Sequence, residues 1–411
     1  MFPGYLSVLI VIPVIGAIAV GLVPKDNVRA LRLTALAFSI LALLLSLAIA
    51  VQYDLGRAGL QFVERAPWIP SLGISVFLAV DGLSLPMVVL TTLLTFAAVL
   101  ASFNIEKRPK EYFILLLILE AGILGVFTAL DLVVFFLFWE VELIPMYLLI
   151  LLWGGPRREY AAIKFVLYTV AGSALMLFGI LALYFGSGAQ TFDAIKLAGV
   201  GFPLAFQLLV FPFLFIGFAI KLPMFPFHTW LPDAHVEAPT AVSVILAGVL
   251  LKMGGYGMFR LVLGIVPEAV TYFALPLAII AVINILYGAG VSLVQKDLKK
   301  LVAYSSVSHM GYVLLGLAAL TPISLSGATL QMFTHGTITG LLFLLVGLVY
   351  DKAHTRQIPD MGGLAQRMPW VAVVFVIAGL ASLGLPGLSG FVAEFLVFVG
   401  SFSVFQIPTV L

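Results

Sequence analysis

Short polar loops divide the chain into about twelve apolar stretches of roughly 20 residues, the length of a helix that crosses a lipid bilayer. Hydrophobic residues make up 63% of the 411 residues and charged residues 10%, whereas soluble domains carry about 25% charged residues. The sequence therefore predicts an all-α polytopic membrane protein that forms a single transmembrane domain.

The predicted spans lie at roughly residues 4–23, 31–51, 82–103, 112–130, 132–152, 159–185, 205–228, 239–262, 268–291, 298–320, 325–350 and 369–400. With the N-terminus outside, the loops that face the cytoplasm carry most cations, namely Lys25, Arg29, Arg32, Lys107, Arg108, Lys110, Arg157, Arg158, Lys296, Lys299, Lys300, Lys352, Arg356 and Arg367. The opposite loops carry Arg57, Arg65 and Lys196. This asymmetry predicts the orientation by the positive-inside rule.

Two smaller features complete the outline. Residues 52–81 mix polar and alternating apolar positions, a pattern typical of a strand or hairpin outside the membrane. The first stretch lacks a charged start, so it is interpreted as a span and not as a cleavable signal peptide. Cysteine is absent, which excludes disulfides, iron–sulfur ligation and thiolate catalysis within this chain.

Two spans contain a Leu-Pro break, AIKLPMFPF in the seventh and SLGLPGLSGF in the twelfth. Proline removes a backbone donor and frees the carbonyl four residues earlier. Such a break is tolerated in hydrocarbon only where neighbouring protein or water satisfies the freed groups. Interrupted spans in corresponding halves of a chain indicate a transporter built from inverted repeats.

Ionisable side chains remain within the spans after the loop charges are set aside. They are Glu120, Glu140, Glu142, Lys164, Lys221, Lys252, Glu394, His309 and His335. Charged groups at membrane depth are costly and mark a transport path or an ion-pair relay by default. We therefore interpret Lys221, which lies inside the seventh-span break, as a proton carrier.

Glu140 is the carboxylate that we favour as the partner of Lys221. Glu142 follows two residues later, about 200° around a helix, so one of the two faces any given partner. Burial favours the neutral amine of a lysine and a nearby carboxylate favours its ammonium, so a moving counter-ion makes a proton switch. The alternatives are a permanent structural ion pair and a carboxylate that samples solvent near a loop.

Four further residues extend this hypothesis. Lys252 precedes Gly254 and Gly255, which allow close helix approach, and is expected to pass the proton on. His309 and His335 are predicted to bridge Lys252 to Glu394, the expected exit, because histidine titrates near neutral pH. Each histidine is equally well explained as a hydrogen-bonded structural residue, and Glu394 as a partner of another subunit.

His228 follows Lys221 by seven residues, so it is predicted to share the same helix face. The chain has no GxGxxG after a strand, no Walker A motif and no HExxH motif, and its histidines are not spaced as bis-histidine haem ligands. We therefore expect no bound cofactor or metal, no redox chemistry in this chain and no contact with nucleic acid.

Four segments carry a family resemblance: FWEVELIPMYLLI (138–150), IKLPMFPFHTWLPDAHVEAPTAVSVILAGVLLKMGGYG (220–257), DLKKLVAYSSVSHMGYV (297–313) and GLPGLSGFVAEF (384–395). They closely resemble the antiporter-like proton-pumping membrane subunits of respiratory complex I, of the subunit M or subunit 4 type of NADH:quinone oxidoreductase. The resemblance extends over nearly the whole chain.

The resemblance implies a fourteen-helix fold with two inverted five-helix repeats, here about residues 112–262 and 268–411, with helices 7 and 12 broken. It assigns proton-relay roles to Glu140 paired with Lys221, to Lys252 and to Glu394. It places Glu120, Lys164, His228, His309 and His335 on the polar axis of the family. Because the chain reaches Leu411 just after the twelfth span, the second repeat is expected to be incomplete.

The resemblance also implies the setting: a bacterial inner membrane, with other complex I membrane subunits, including antiporter-like neighbours, as partners. Flavin, iron–sulfur clusters and quinone are expected in partner subunits. A multisubunit cation/proton antiporter remains an alternative, although its subunits more often resemble relatives with lysine at the position of Glu394. A ferredoxin- or hydrogenase-linked ion pump and a purely structural membrane subunit also remain open.

Overall fold

The computed structural model describes residues 4–411. In chain order the first elements are α1 (Tyr5–Leu22), α2 (Val28–Gln52), β1 (Gln61–Ile69), β2 (Ile74–Val80), α3 (Ser84–Ala101), α4 (Pro109–Thr128), α5 (Leu132–Val141), α6 (Leu143–Trp153), α7 (Arg158–Ser187), α8 (Ala194–Ala198), α9 (Leu204–Lys221) and α10 (Trp230–Glu237). They are followed by α11 (Thr240–Ile245), α12 (Leu251–Gly257), α13 (Pro267–Tyr272), α14 (Ala274–Leu293), α15 (Leu298–Ala319), α16 (Pro322–Ala353), α17 (Leu364–Arg367), α18 (Pro369–Ser382), α19 (Ser389–Phe402) and α20 (Gln406–Val410).

Within residues 4–411, eleven helical segments are long and apolar enough to cross a membrane, α5 with α6 and Thr240–Leu263 each counting as one. The shorter apolar helices α18 and α19 flank the Leu-Pro break and together occupy the predicted twelfth span. In the seventh span α9 ends at Lys221, and α10 begins after the prolines. The predicted polytopic all-α fold with broken helices 7 and 12 is confirmed.

The hairpin predicted between the second and third spans is also confirmed. Strands β1 and β2 pair antiparallel, from Gln61 opposite Val80 to Ile69 opposite Ile74. We call the end of the bundle that carries it the hairpin face. The opposite end, where Lys25, Arg108 and Arg157 lie, is the cation-rich face.

Carboxylates fasten the hairpin to the helix ends. Glu64 of β1 accepts hydrogen bonds from the backbone N–H groups of Leu6 (2.6 Å) and Ser7 (3.0 Å), at the start of α1. Asp131 caps α5 at Val133 N and also accepts from Ser75 N of β2, at 2.9 Å. Because both carboxylates satisfy N–H groups that the first turn of a helix leaves free, they stabilise the hairpin and the helix ends together.

The segment Thr240–Leu263 lies at the centre of the bundle, where nearly all of its residues are buried. Its residues 246–250 and 258–263 are wound as π-helix, on either side of α12. A Cβ atom at Gly254 would lie 2.6 Å from the backbone nitrogen of Leu222, so only glycine lets α9 and α12 approach this closely. The predicted close approach at Gly254 is confirmed, and it brings the helices of Lys221 and Lys252 into contact.

Candidate functional site

The break after α9 is held by side chains from other parts of the chain. Pro223 has no N–H to donate to Ala219 O, which accepts instead from Met224 N at 2.9 Å. This leaves Ile220 O without its helical donor, and it accepts from Trp230 Nε1 at 2.9 Å. Phe225 N donates to Asn284 Oδ1 on α14 at 2.6 Å. The backbone groups freed by proline are thus satisfied inside the protein, as a membrane requires.

Lys221, the last residue of α9, forms an ion pair with Glu142, and both side chains are 1% exposed. The ammonium also lies 5.5 Å from the centroid of the Trp139 ring and 5.4 Å from that of Phe165. The C-terminal carbonyl groups of α9 add negative potential at the same point. An ammonium that is buried this deeply is held by one carboxylate, two ring faces and a helix end.

The predicted pairing of Glu140 with Lys221 is wrong in this structure, because Glu142 occupies that place. Glu142 keeps helical backbone angles (φ −71°, ψ −25°), so the two carboxylates stay on opposite sides of the helix, as the 3.6-residue period predicts, and Glu142 is the one that faces Lys221. The period does not tell which of the two faces the interior. Glu140 is half-buried, and its Oε1 has no hydrogen-bond partner among the described residues.

The prediction that His228 shares a helix face with Lys221 is also wrong. Helix α9 ends at Lys221, and His228 lies in the short 3₁₀ turn Phe227–Thr229, so no common helix joins them. The imidazole is buried, with its Nε2 3.3 Å from the hydroxyl of Tyr287 on α14. His228 therefore belongs to the support of the break by α14.

Lys252 is completely buried on α12 and has two close partners. Its Nζ donates to the carbonyl of Ala247 at 2.5 Å and lies 2.6 Å from Nδ1 of His335 on α16. Ala247 is within a π-helical segment, where the backbone pairing of the α-helix is altered. Neither partner is a carboxylate. The carbonyl of Ala247 accepts a hydrogen bond from the amine, and Nδ1 of His335 accepts from the ammonium or donates to the neutral amine, so each protonation state has a polar partner.

Two histidines and a carboxylate continue the row from Lys252. The rings of His335 and His309 lie with their centroids 5.4 Å apart. His309 Nδ1 is 3.2 Å from Glu394 Oε1, and His309 Nε2 is 3.0 Å from the hydroxyl of Ser382. The structure thus brings together Lys252, His335, His309 and Glu394, the four residues that the sequence placed in one path.

The twelfth-span break lies beside Glu394. Gly384 and Gly387 have φ values of +68° and +94°, a conformation that favours glycine, on either side of Pro386. A Cβ at Gly384 would lie 2.5 Å from Glu394 Oε2, so the carboxylate is packed against the break. Each broken helix therefore has an ionisable residue at its interruption.

Two other predicted residues have separate surroundings. Lys164 on α7 donates to Asp233 Oδ2 at 2.7 Å, on the part of the broken helix that leads to the cation-rich face. Glu120 is fully buried on α4, and neither of its oxygens has a hydrogen-bond partner among residues 4–411. Lys164 lies in an ion pair with Asp233, whereas the structure gives Glu120 no direct contact with the row.

Sequence reasoning missed three features near this row. Asn284 was overlooked, although an amide inside the apolar run VINILYG was a usable signal. His235 is fully buried, stacked on Phe343 at 4.6 Å between centroids, with both ring nitrogens unpartnered among the described residues. The pair of Asp81 with Arg260 joins residues 179 apart, which no local pattern reveals.

The site contains groups that accept, hold and release protons. Within residues 4–411, no group of three or more His, Cys, Asp or Glu side chains is placed to hold a metal ion. The row of amine, imidazole and carboxylate groups is suited to proton transfer between neighbours.

Comparison with known proteins gives consistent matches. Residues 129–411 match the family described as NADH:quinone oxidoreductase/Mrp antiporter, TM. NAD(P)H-quinone oxidoreductase chain 4 2 of Microcystis aeruginosa is 48% identical over 401 residues, covering 97% of this chain and 72% of that protein. NAD(P)H-quinone oxidoreductase chain 4 of Acaryochloris marina is 46% identical over 419 residues, covering 100% of this chain and 78% of that protein.

Solved structures give the same picture. A chain of respiratory complex I from Thermus thermophilus with bound NADH superposes with a TM-score of 0.92 at 34% identity, covering 98% of this chain and 84% of that one. A chain of the Mrp complex from Dietzia sp. has a TM-score of 0.88 at 24% identity, covering 98% of this chain and 76% of that one. The second likeness is one of fold alone.

Proposed function

Because this chain belongs to the NADH:quinone oxidoreductase/Mrp antiporter family of transmembrane proteins, we propose that it is an antiporter-like, proton-translocating subunit of a complex I that oxidises NAD(P)H and reduces quinone. The names of its relatives and the complex I match support this assignment. The observation that carries it is the row Lys252, His335, His309 and Glu394, whose first two members are buried and last two partly buried, and which begins on the helix next to that of Lys221.

The first step of the proposed mechanism concerns Lys221 and its two carboxylates. While Glu142 is ionised beside it, the ammonium is stabilised by the pair. Opening the pair leaves a buried charge unpaired, which favours release of the proton. Glu140, which has an unpartnered oxygen, is the second carboxylate, and it pairs with Lys221 once the released proton has been replaced.

The proton then passes to Lys252 and along the row. We propose that transfer between the two lysines, whose helices touch at Gly254, uses bridging water, because a water molecule can hydrogen-bond two polar groups that do not touch directly. His335 takes a proton from Lys252 at 2.6 Å. The rings of His335 and His309, with centroids 5.4 Å apart, share no hydrogen bond, so transfer between them requires a bridging water or a ring rotation, after which His309 gives the proton to Glu394 at 3.2 Å. Glu394 is the exit, and Lys164 with Asp233 is the entrance on the other side of the membrane.

We propose that the two halves, about residues 112–262 and 268–411, are inverted repeats, since each contains one broken helix with an ionisable residue at the break. The cation-rich face lies towards the cytoplasm of a bacterial cell, which places the N-terminus outside. Neighbouring membrane subunits, including antiporter-like ones, flank the chain. Partner subunits hold the flavin, the iron–sulfur clusters and the quinone, and redox chemistry takes place there.

Purification of the tagged chain from its native membrane tests this function. We expect flavin- and iron–sulfur-containing subunits to co-purify, and the reconstituted complex to acidify or alkalinise vesicles when NADH or NADPH and quinone are supplied. Sodium-dependent proton exchange without an electron donor would contradict the proposal and favour a cation/proton antiporter. Activity with reduced ferredoxin alone would identify a ferredoxin-linked pump.

A further inference from the structure

Five aromatic side chains fill the bundle on the hairpin side of Lys221 and Lys252. They come from four helices and are buried, and we call them the aromatic seal: Phe127, Phe135, Trp139, Phe218 and Tyr256. Phe218 lies one turn from Lys221 towards the hairpin face, and Tyr256 lies one turn from Lys252 in the same direction. The seal therefore occupies the direct way from both lysines to the hairpin face.

The rings of the seal form one continuous group. Tyr256 lies 5.3 Å from Phe127 and 6.4 Å from Phe135, measured between ring centroids. Phe218 lies 6.3 Å from Phe135 and 5.5 Å from Trp139. Four of the five rings lack an acid or base that exchanges protons, so the group has no chain of hydrogen bonds along which a proton can move.

A guanidinium closes the seal at the hairpin face. Arg260 lies one turn beyond Tyr256, with Nε 3.3 Å from its hydroxyl and the guanidinium carbon 5.4 Å from its ring centroid. Arg260 Nη2 donates to Asp81 Oδ2 at 2.6 Å, and both side chains are less than one-fifth exposed. Arginine keeps its charge at all ordinary pH values, so this group repels an approaching proton permanently.

The cation-rich side of the same lysines has a different character. Lys164 is paired with Asp233, and the hydroxyl of Tyr168 lies 2.8 Å from that of Thr229. These side chains are partly or fully exposed and hydrogen-bonding. The lysines of the first half thus have polar groups on one side and the aromatic seal with Arg260 on the other.

We propose that the aromatic seal and the Arg260–Asp81 pair form a proton barrier that prevents Lys221 and Lys252 from releasing protons directly to the hairpin face. A proton on these lysines then leaves through the row that runs from Lys252 through His335 and His309 to Glu394. A fixed cation beside an apolar constriction excludes protons in the same way in other membrane pores. The inference rests on the proposed function, to which it adds the residues that give translocation its direction.

Passive proton permeability tests the barrier without turnover. The purified complex is reconstituted in proteoliposomes without electron donor, a pH difference is imposed, and its decay is followed with an entrapped pH dye. For Arg260→Gln we expect the decay rate due to the protein to rise about tenfold, the effect of a barrier lower by ~1.4 kcal/mol. Asp81→Asn keeps the cation and removes its counter-charge, so we expect it to leave the vesicles as tight as wild type. Arg65→Gln, which removes the Arg65–Asp193 pair of the hairpin face, is the matched control and is expected to leave the decay unchanged.

Arg260→Lys separates a barrier from a merely structural contact. Lysine keeps the positive charge but loses the planar donor geometry, so a charge barrier predicts tight vesicles and a structural role predicts leakage. If the Arg260 and Asp81 variants fail to assemble, Phe127→Ala tests the seal itself, since it opens space for water beside Tyr256. Wild-type permeability in assembled Arg260→Gln, or in assembled Phe127→Ala, would overturn the proposal.

The double variant Arg260→Gln with Lys252→Met distinguishes this inference from the proposed function. If leakage passes through the relay, adding Lys252→Met restores tightness. Leakage in Arg260→Gln together with normal pumping in Lys221→Met would refute the relay and leave the barrier standing. Tight Arg260→Gln vesicles together with lost pumping in Lys221→Met would refute the barrier and leave the relay standing.

Discussion

Lys252 Nζ lies 2.6 Å from Nδ1 of His335, although the two residues are 83 positions apart in the chain. The contact joins the central segment Thr240–Leu263 to α16. On α16, the ring of His335 also lies beside that of His309. Since His309 reaches Glu394, two neighbouring histidines link the lysine of the first half to the carboxylate of the second. In the proposed mechanism, proton transfer between the halves depends on this contact.

Replacing His335 by phenylalanine should stop transfer at this point. The ring volume is kept and the titratable nitrogens are lost, so we expect pumping to fall to a small fraction of the wild-type rate in assembled complex. The measurement is dye quenching in vesicles supplied with NADH and quinone. His354→Phe, at an exposed position, is the control, and equal pumping by the two variants would contradict the histidine row.

The two carboxylates at the α5 break give the second prediction. Glu142→Gln removes the partner of a buried ammonium, a change that typically costs ~3–5 kcal/mol. Glu140→Gln removes the alternative partner that the proposed mechanism needs. We expect each variant to lower the ratio of protons pumped to electrons transferred, and the double variant to match Lys221→Met. Glu268→Gln, an exposed carboxylate, is the control, and wild-type ratios in both single variants would rule out the two-partner switch.

Asn284 gives the third prediction. Its side chain accepts from Phe225 N and donates to Val307 O at 3.0 Å, so it ties the seventh-span break to α15. Asn284→Leu leaves both backbone groups without their partner, and an unsatisfied buried group costs ~1–3 kcal/mol. We expect faster hydrogen exchange at residues 222–228 and reduced pumping. Asn104→Leu, at an exposed position, is the control and is expected to change neither. Unchanged exchange at the break would show that Asn284 does not position it.

The pH dependence of the hairpin face follows from Asp81, which precedes α3. Burial acts to raise the pKa of its carboxyl, but Arg260 and the N–H groups of Ser84 and Leu83 outweigh burial and lower this pKa below 3.8. A lowered carboxyl pKa adds stability that is present above the ordinary pKa and is lost as the pH falls through the folded-state value. We therefore expect the contact between α3 and Arg260 to loosen only below about pH 4. Hydrogen exchange at residues 81–84 measures this, and an acid transition that persists in Asp81→Asn would contradict it.

The sequence predicted the spans, the hairpin and the two breaks because each has a local cause. Span length and charge asymmetry follow from the bilayer, and the breaks follow from Pro223 and Pro386. It also predicted the row from Lys252 to Glu394, since the cost of a buried charge singles out its members. These inferences need no knowledge of which helices touch.

The errors concern which side chains face each other. The helix period separates Glu140 from Glu142 but does not tell which of them faces Lys221, and the end of α9 separates His228 from Lys221. Contacts between distant parts of the chain, such as Asn284 with Phe225, are set by packing, which no local pattern encodes. The aromatic seal could not be predicted for the same reason, because phenylalanine occurs in most of the predicted spans and does not single out its five members.

The proton-to-electron ratio of an assembled Lys221→Met complex tests the central claim most directly. Methionine keeps the apolar stem of the side chain and removes the titrating amine, with Lys196→Met, an exposed position, as the control. The account predicts that Lys221→Met lowers the ratio, or abolishes coupled turnover, while Lys196→Met leaves it unchanged. A wild-type ratio at wild-type turnover in Lys221→Met would contradict it.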